Sequence, residues 1–163
     1  SVGVPVTFNY DFTMYPVATF DSTNNYVIIA YKDNNNNGRG MACTGTVSSS
    51  SITFNTYDEF VNSSVNYLAI SYDSSNQKVI IAYSDGTNSY YGTAIDGDVS
   101  NSGITYGTPT VFESASINYP WLAYDSANNK TIVSYLCMMA NMVCSPEDII
   151  VAYSYICLNQ VTA

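Results

Sequence analysis

The chain has 163 residues, with four Lys+Arg against 13 Asp+Glu, no histidine, and a formal charge of −9. So acidic a surface repels phosphate backbones, so nucleic acid is not an expected partner. The absence of histidine closes every mechanism that needs an imidazole base, relay or metal ligand. No apolar run approaches the roughly 18 residues of a spanning helix, so membrane insertion is not expected either. Charged residues make up only 10%, while Asn, Ser, Thr and Tyr are plentiful, a composition expected of a secreted or cell-surface β protein. The start at Ser1, without Met or a basic-then-apolar leader, is expected either after signal-peptide removal or in a piece of a longer chain.

In chain order, the first element is "GVPVTF", where Gly3, Val4, Pro5, Val6, Thr7 and Phe8 predict a strand over residues 3–9. It matches "GTPTVF" from Gly107, 104 positions later. "FDSTNNYVIIAY" from Phe20 follows, and recurs as "YDSSNQKVIIAY" from Tyr72 and "YDSANNKTIVSY" from Tyr124. Tyr15, Tyr67 and Tyr119 are 52 apart, as are Tyr31, Tyr83 and Tyr135. Over the 18 positions from Met14, nine are identical in the second copy, which shows internal duplication.

The remainder of the period also aligns. "GMACTGTVSSSSITFNTYDEF" from Gly40 matches "GTAIDGDVSNSGITYGTPTVF" from Gly92, again 52 apart. Cys43 falls on Cys157 after two periods and a ten-residue insertion within "LCMMANMVCSPEDIIVAYS". The chain therefore reads as one all-β repeat domain over residues 1–163. Its units run over about 11–62, 63–114 and 115–163, with the 3–9 strand standing for the last strand of a preceding unit. Each unit predicts four short strands, separated by Asp-Ser-x-Asn, Asp-Gly, Ser/Asn/Gly and Gly-x-Pro turns. In "KVIIAYSD" both faces are apolar, so that strand is expected to be covered on both sides.

This four-stranded, 52-residue unit with a displaced last strand resembles tandem β-propeller-blade repeats of secreted or surface proteins. The resemblance implies propeller-like blades, the displaced strand pairing with the last blade. Three-fold β-trefoil and β-prism folds are the alternatives, being of similar length and pseudosymmetry. Three blades are too few for a ring. The expectation is therefore two chains completing one ring, or blades continuing from chain to chain.

Several residues are candidates for chemistry. Asp21, Asp73 and Asp125 recur at the turn after the first strand of each unit, each with Asn three positions on. Asx-turn capping is expected there, with Ca²⁺ coordination as the minor alternative; no other cofactor is expected. Tyr90 and Tyr91, out of register with the other tyrosines, form a candidate glycan-stacking platform. Asn62 and Asn129 head Asn-x-Ser/Thr sequons in predicted turns. Cys137 and Cys144 bracket the insertion and are the candidate disulfide. "DNNNNGRG" from Asp33 reads as an extended loop whose Lys32 and Arg39 face a neighbour's acidic patch or solvent. Asp96 and Asp98 share one face of a strand and cannot straddle a sugar as glycosidase carboxylates do.

Together these predict a non-enzymatic secreted protein, structural or adhesive, that assembles with itself through strand or blade complementation into a ring or filament. A carbohydrate-binding, lectin-like module is the alternative, and a glycoside hydrolase fragment using Asp96 or Asp98 a more remote one.

Overall fold

The structure is a computed structural model and describes residues 3–137. Among these residues it holds nine strands and no helix. The strands are β1 (Thr13–Asp21), β2 (Tyr26–Asp33), β3 (Arg39–Ser48), β4 (Ser51–Asp73), β5 (Lys78–Asp85), β6 (Tyr91–Ser100), β7 (Gly103–Tyr106), β8 (Thr110–Asp125) and β9 (Lys130–Cys137). They follow one antiparallel path, β1-β2-β3-β4-β5-β6-β8-β9, with β7 beside β6. The architecture is an all-β, strongly curled, propeller-like sheet.

The 52-residue period of the sequence recurs in the register. Asp21 pairs with Tyr26, Asp73 with Lys78, and Asp125 with Lys130, so each turn is a four-residue loop. Strand β5 is covered on both faces, with Val79, Ile81, Ala82 and Tyr83 all fully buried, as its continuous apolar run requires. One core cluster joins Ile28, Ala30 and Ala42 to Val65, Leu68, Val79 and Ile81. A second joins Ala69 and Ala82 to Ile117, Val133 and Tyr135. Each successive four-strand sheet thus lays one face on the next.

Bulges bend the chain at repeating points. The ladders slip between Met14 and Val17, Asn66 and Ala69, and Asn118 and Trp121. At these slips Tyr15, Tyr67 and Tyr119 take φ of 52°, 49° and 48°, a region that L residues with a bulky side chain adopt only when held there. Their rings form a row, with centroids 5.1 Å and 4.6 Å apart. Ring-on-ring packing along the row offsets the backbone strain, and recurrence in all three periods marks it as architectural.

Four expectations are corrected. The predicted break between the fourth strand of one unit and the first of the next is absent in β4, which runs unbroken for 23 residues. Its first half bonds β3 and its second half bonds β5, and the bulge at Tyr67 turns the chain without a loop. In the next period the same stretch is interrupted between β7 and β8, because Pro109 has no N–H to give the ladder. The loop at Asp33 is not extended: Asn36 N and Gly38 N bond to Asp33 O as Asn88 N and Tyr90 N bond to Asp85 O. Nor are its two cations without partners inside the chain. Arg39 pairs with Glu59 at 2.8 Å and Lys32 Nζ donates to Asn66 Oδ1 at 2.9 Å.

The fourth correction concerns Gly3–Phe8, which does not form a strand. A strand needs a ladder, and no partner strand lies beside this segment among the described residues.

Candidate functional site

Although it lacks a ladder, the N-terminal segment is placed in register. Phe8 meets Tyr31 at 5.3 Å and Phe54 at 6.1 Å between ring centroids. Phe60, 52 residues on, meets Tyr83 at 5.5 Å and Tyr106 at 6.1 Å. Phe112 meets Tyr135 at 5.4 Å. The backbone repeats too: Asn34 N donates to Phe12 O as Gly86 N donates to Ser64 O. Phe60 and Phe112 are carried by the last strand of one four-strand sheet and press on the next sheet. Phe8 therefore occupies the place of a preceding sheet's last strand, with no sheet beside it among the described residues. Val4 and Val6 beside it are exposed.

The second site is the loop at Tyr90. Gly38 stands at the matching position one period earlier with φ 74°, and Tyr90 holds φ 61°. Both carbonyls do the same work, accepting from Val65 N and Ile117 N respectively, which fixes the backbone shape. Glycine adopts that shape freely, whereas tyrosine is strained by about 1 kcal/mol or more. Half of the Tyr90 surface is exposed, and among the described residues no ring packs on it as rings do in the tyrosine row. Tyr91 begins β6, opposite Asp85 and Ser116, and is partly buried. The structure thus brings one displayed ring and one half-covered ring side by side.

The aspartate turns take the Asx-turn form. Asp73 Oδ1 accepts Ser75 N and Asn76 N, each at 3.0 Å, and its Oδ2 accepts Asn76 Nδ2 at 2.8 Å. Asp21 and Asp125 repeat all three bonds. Burial pushes the Asp21 and Asp73 carboxyls up, but the Asn N–H bonds outweigh it and hold both below the ordinary value. These oxygens face N–H donors, which is the wrong environment for a cation. Among the described residues no group of three or more His, Cys, Asp and Glu could hold a metal.

Asp96 and Asp98 share a face as their spacing requires, but Lys78 claims both, at 2.7 Å and 3.3 Å. The Lys78 ammonium is raised above its usual range by the hydrogen bond to Asp96. The pair is a salt-bridged strand surface rather than two carboxylates across a cleft.

Asn62 sits at an exposed position within β4, not in the predicted turn. Asn129 does lie in the turn before β9, where its Oδ1 accepts from Ser75 Oγ at 2.7 Å. Cys43 and Cys137 are free thiols among the described residues; the expected Cys137–Cys144 bridge involves Cys144, which lies outside them. Cys43 packs where Ile95 packs one period later, and burial pushes its thiol up to about 12. Sequence reasoning missed the αL tyrosines, since nothing in a tyrosine codon position announces a positive φ. Alignment of Tyr90 with Gly38 was the available signal.

No protein-family model and no curated protein matches the sequence. Among solved structures, the chain is similar to the crystal structure of an exo-β-1,3-galactanase from Phanerochaete chrysosporium in complex with β-1,3-galactotriose. The TM-score is 0.51 at 11% identity, and the match covers 78% of this chain and 30% of that one. At this identity the likeness bears on the fold alone.

Proposed function

We propose that this chain is a non-enzymatic structural or adhesive module, secreted or displayed at a cell surface. Its three propeller-like units, permuted by one strand, continue from one copy to the next. Gly3–Phe8 supplies the last strand of a sheet in another copy, and the contact is head to tail, giving a ring if the rotation closes and a filament if it does not. The observation that carries this reading is the seating of Phe8 on Tyr31 and Phe54, matching Phe60 on Tyr83 and Tyr106, in a segment that pairs with no strand among the described residues. An extended segment whose N–H and C=O groups lack a ladder is a template for another strand.

Removing residues 1–10 tests it. The intact chain is expected to sediment as assemblies whose mass grows with concentration, and the shortened chain as monomer. Equal sedimentation of the two would sink strand donation.

A second reading, carbohydrate binding, is favoured by the strained and displayed Tyr90. Fold likeness to a carbohydrate-active protein is in keeping with it. Strained residues cluster where function holds them, and a flat ring beside Asn88 and Ser89 suits a sugar face. Tyr90→Gly is expected to keep or raise thermal stability, by up to about 1 kcal/mol, because it relieves the αL strain. The same change is expected to abolish binding on a glycan array. Retained glycan signal in this variant, or no signal from the parent chain, would count against the site.

A further inference from the structure

The contacts between successive units carry a polar code that the two outward-facing ends of the described chain lack together. Tyr72 Oη donates to Thr23 Oγ1 at 3.0 Å, across the first unit boundary. Tyr124 Oη donates to Ser75 Oγ at 2.6 Å, across the second. The tyrosine position one period before Tyr72 is Phe20, and the hydroxyl position one period after Ser75 is Ala127. Donor and acceptor are thus both missing, one from each end.

A second pair, formed at the first boundary and replaced by Ser84 and Asn118 at the second, is split in the same way. Lys32 Nζ donates to Asn66 Oδ1 at 2.9 Å across the first boundary. The position matching Asn66 in the first unit is Met14, and the position matching Lys32 in the third unit is Leu136. A polar pair is again replaced by an apolar pair, split between the two ends. Phe20 and Leu136 are about half exposed, at 49% and 54%. Beside Leu136, Trp121 is 63% exposed, where Ala69, one period earlier, is buried against the next unit.

We propose that the occupant of the face formed by Ala127, Leu136 and Trp121 is the first unit of a second copy of this chain, whose Phe20 and Met14 meet Ala127 and Leu136. This rests on the head-to-tail reading above and names the surface that carries it. The junction continues the internal unit interface with the same register. Hydroxyl and ammonium contacts suffice where the chain itself connects the units. Between separate chains, association depends on removing apolar surface from water, and unmatched polar groups would oppose it. An end exposing a lone Tyr hydroxyl or Lys ammonium would be costlier to bury against a mismatched partner than Phe20 or Leu136.

The test transfers the internal pair to the junction. Leu136→Lys and Met14→Asn, each alone, are expected to raise the concentration at which the full chain assembles by about 10-fold or more. The double variant, and an equimolar mixture of the two single variants, are expected to recover most of that loss, because each then offers the Lys32–Asn66 pairing. The unmodified chain supplies a second measurement. Trp121 is its one tryptophan, so its emission should shift to the blue in step with the rise in mass. Singles that assemble like the parent, a double variant no better than the singles, or unchanged Trp121 emission during assembly would each overturn this junction while leaving strand donation standing. A parent chain that stays monomeric at every concentration would overturn both.

Discussion

Truncating Phe60 to alanine is expected to cost about 3–5 kcal/mol of folding stability, the range for emptying a packed aromatic site. Phe60 is almost fully buried between Tyr83 and Tyr106. Its ring lies directly over Gly40, where a Cβ would stand within 3.0 Å of it. A glycine opposite a large ring means that the strand surface has been cleared to admit that ring, so few neighbours can relax into the space it leaves. Gly92 makes the same clearance for Phe112. Phe8→Ala removes the same ring from the equivalent place in the first unit. Phe8 is only half-buried and its segment has no ladder, so the expected loss is smaller, about 1–2 kcal/mol. Urea unfolding at constant slope measures both. A Phe60→Ala loss below about 1 kcal/mol would mean that the ring is not a keystone of the unit interface.

The pair also shows what was legible beforehand. Phe8, Phe60 and Phe112 align in the sequence, and that alignment already predicts that they pack alike. The period likewise exposed the buried strand of each unit, because Val79–Tyr83 is apolar on both faces and a strand so composed must be covered twice. Other features depended on information that the pattern does not carry. The sequence marks a turn with Asp, Asn or Gly, but the bend inside β4 is made by a bulge at Tyr67, whose side chain packs in a row that only the assembled sheets create. The lack of a ladder at Gly3–Phe8 could not be read from its composition, since strand formation depends on a partner and not on propensity alone. The count of four cysteines did not show what Cys43 does, which is to stand in a core position that Ile95 fills one period later. Of the candidate site residues, Tyr90 became informative only through its backbone. Its neighbour Tyr91 shows no such strain.

Asp73→Ala is expected to cost about 2–4 kcal/mol, because it strands three donors at once. The N–H groups of Ser75 and Asn76 and the amide of Asn76 all end on this carboxylate, and Asp73 is buried. In a domain of this size, that is a fall in melting temperature of roughly 5–15 °C. Asp73→Asn keeps an acceptor oxygen and should cost less. Asp125→Ala, at a more open turn, should cost less than Asp73→Ala. The three turns also set the acid limb of stability. Each carboxyl is held below its usual value in the folded chain, so each contributes fully above about pH 4, where the unfolded carboxyl is also ionised. That contribution is lost as pH falls through the lower folded values, since protonation removes the acceptor that the turn donors need. Melting temperature is therefore expected to be flat from neutrality to about pH 5 and to drop steeply below about pH 4. Asp73→Asn should shallow that drop, because one of the three protonation steps is gone. An acid limb of unchanged steepness in Asp73→Asn, or an Asp73→Ala variant that melts with the parent, would show that the turns are not what holds successive strands in register.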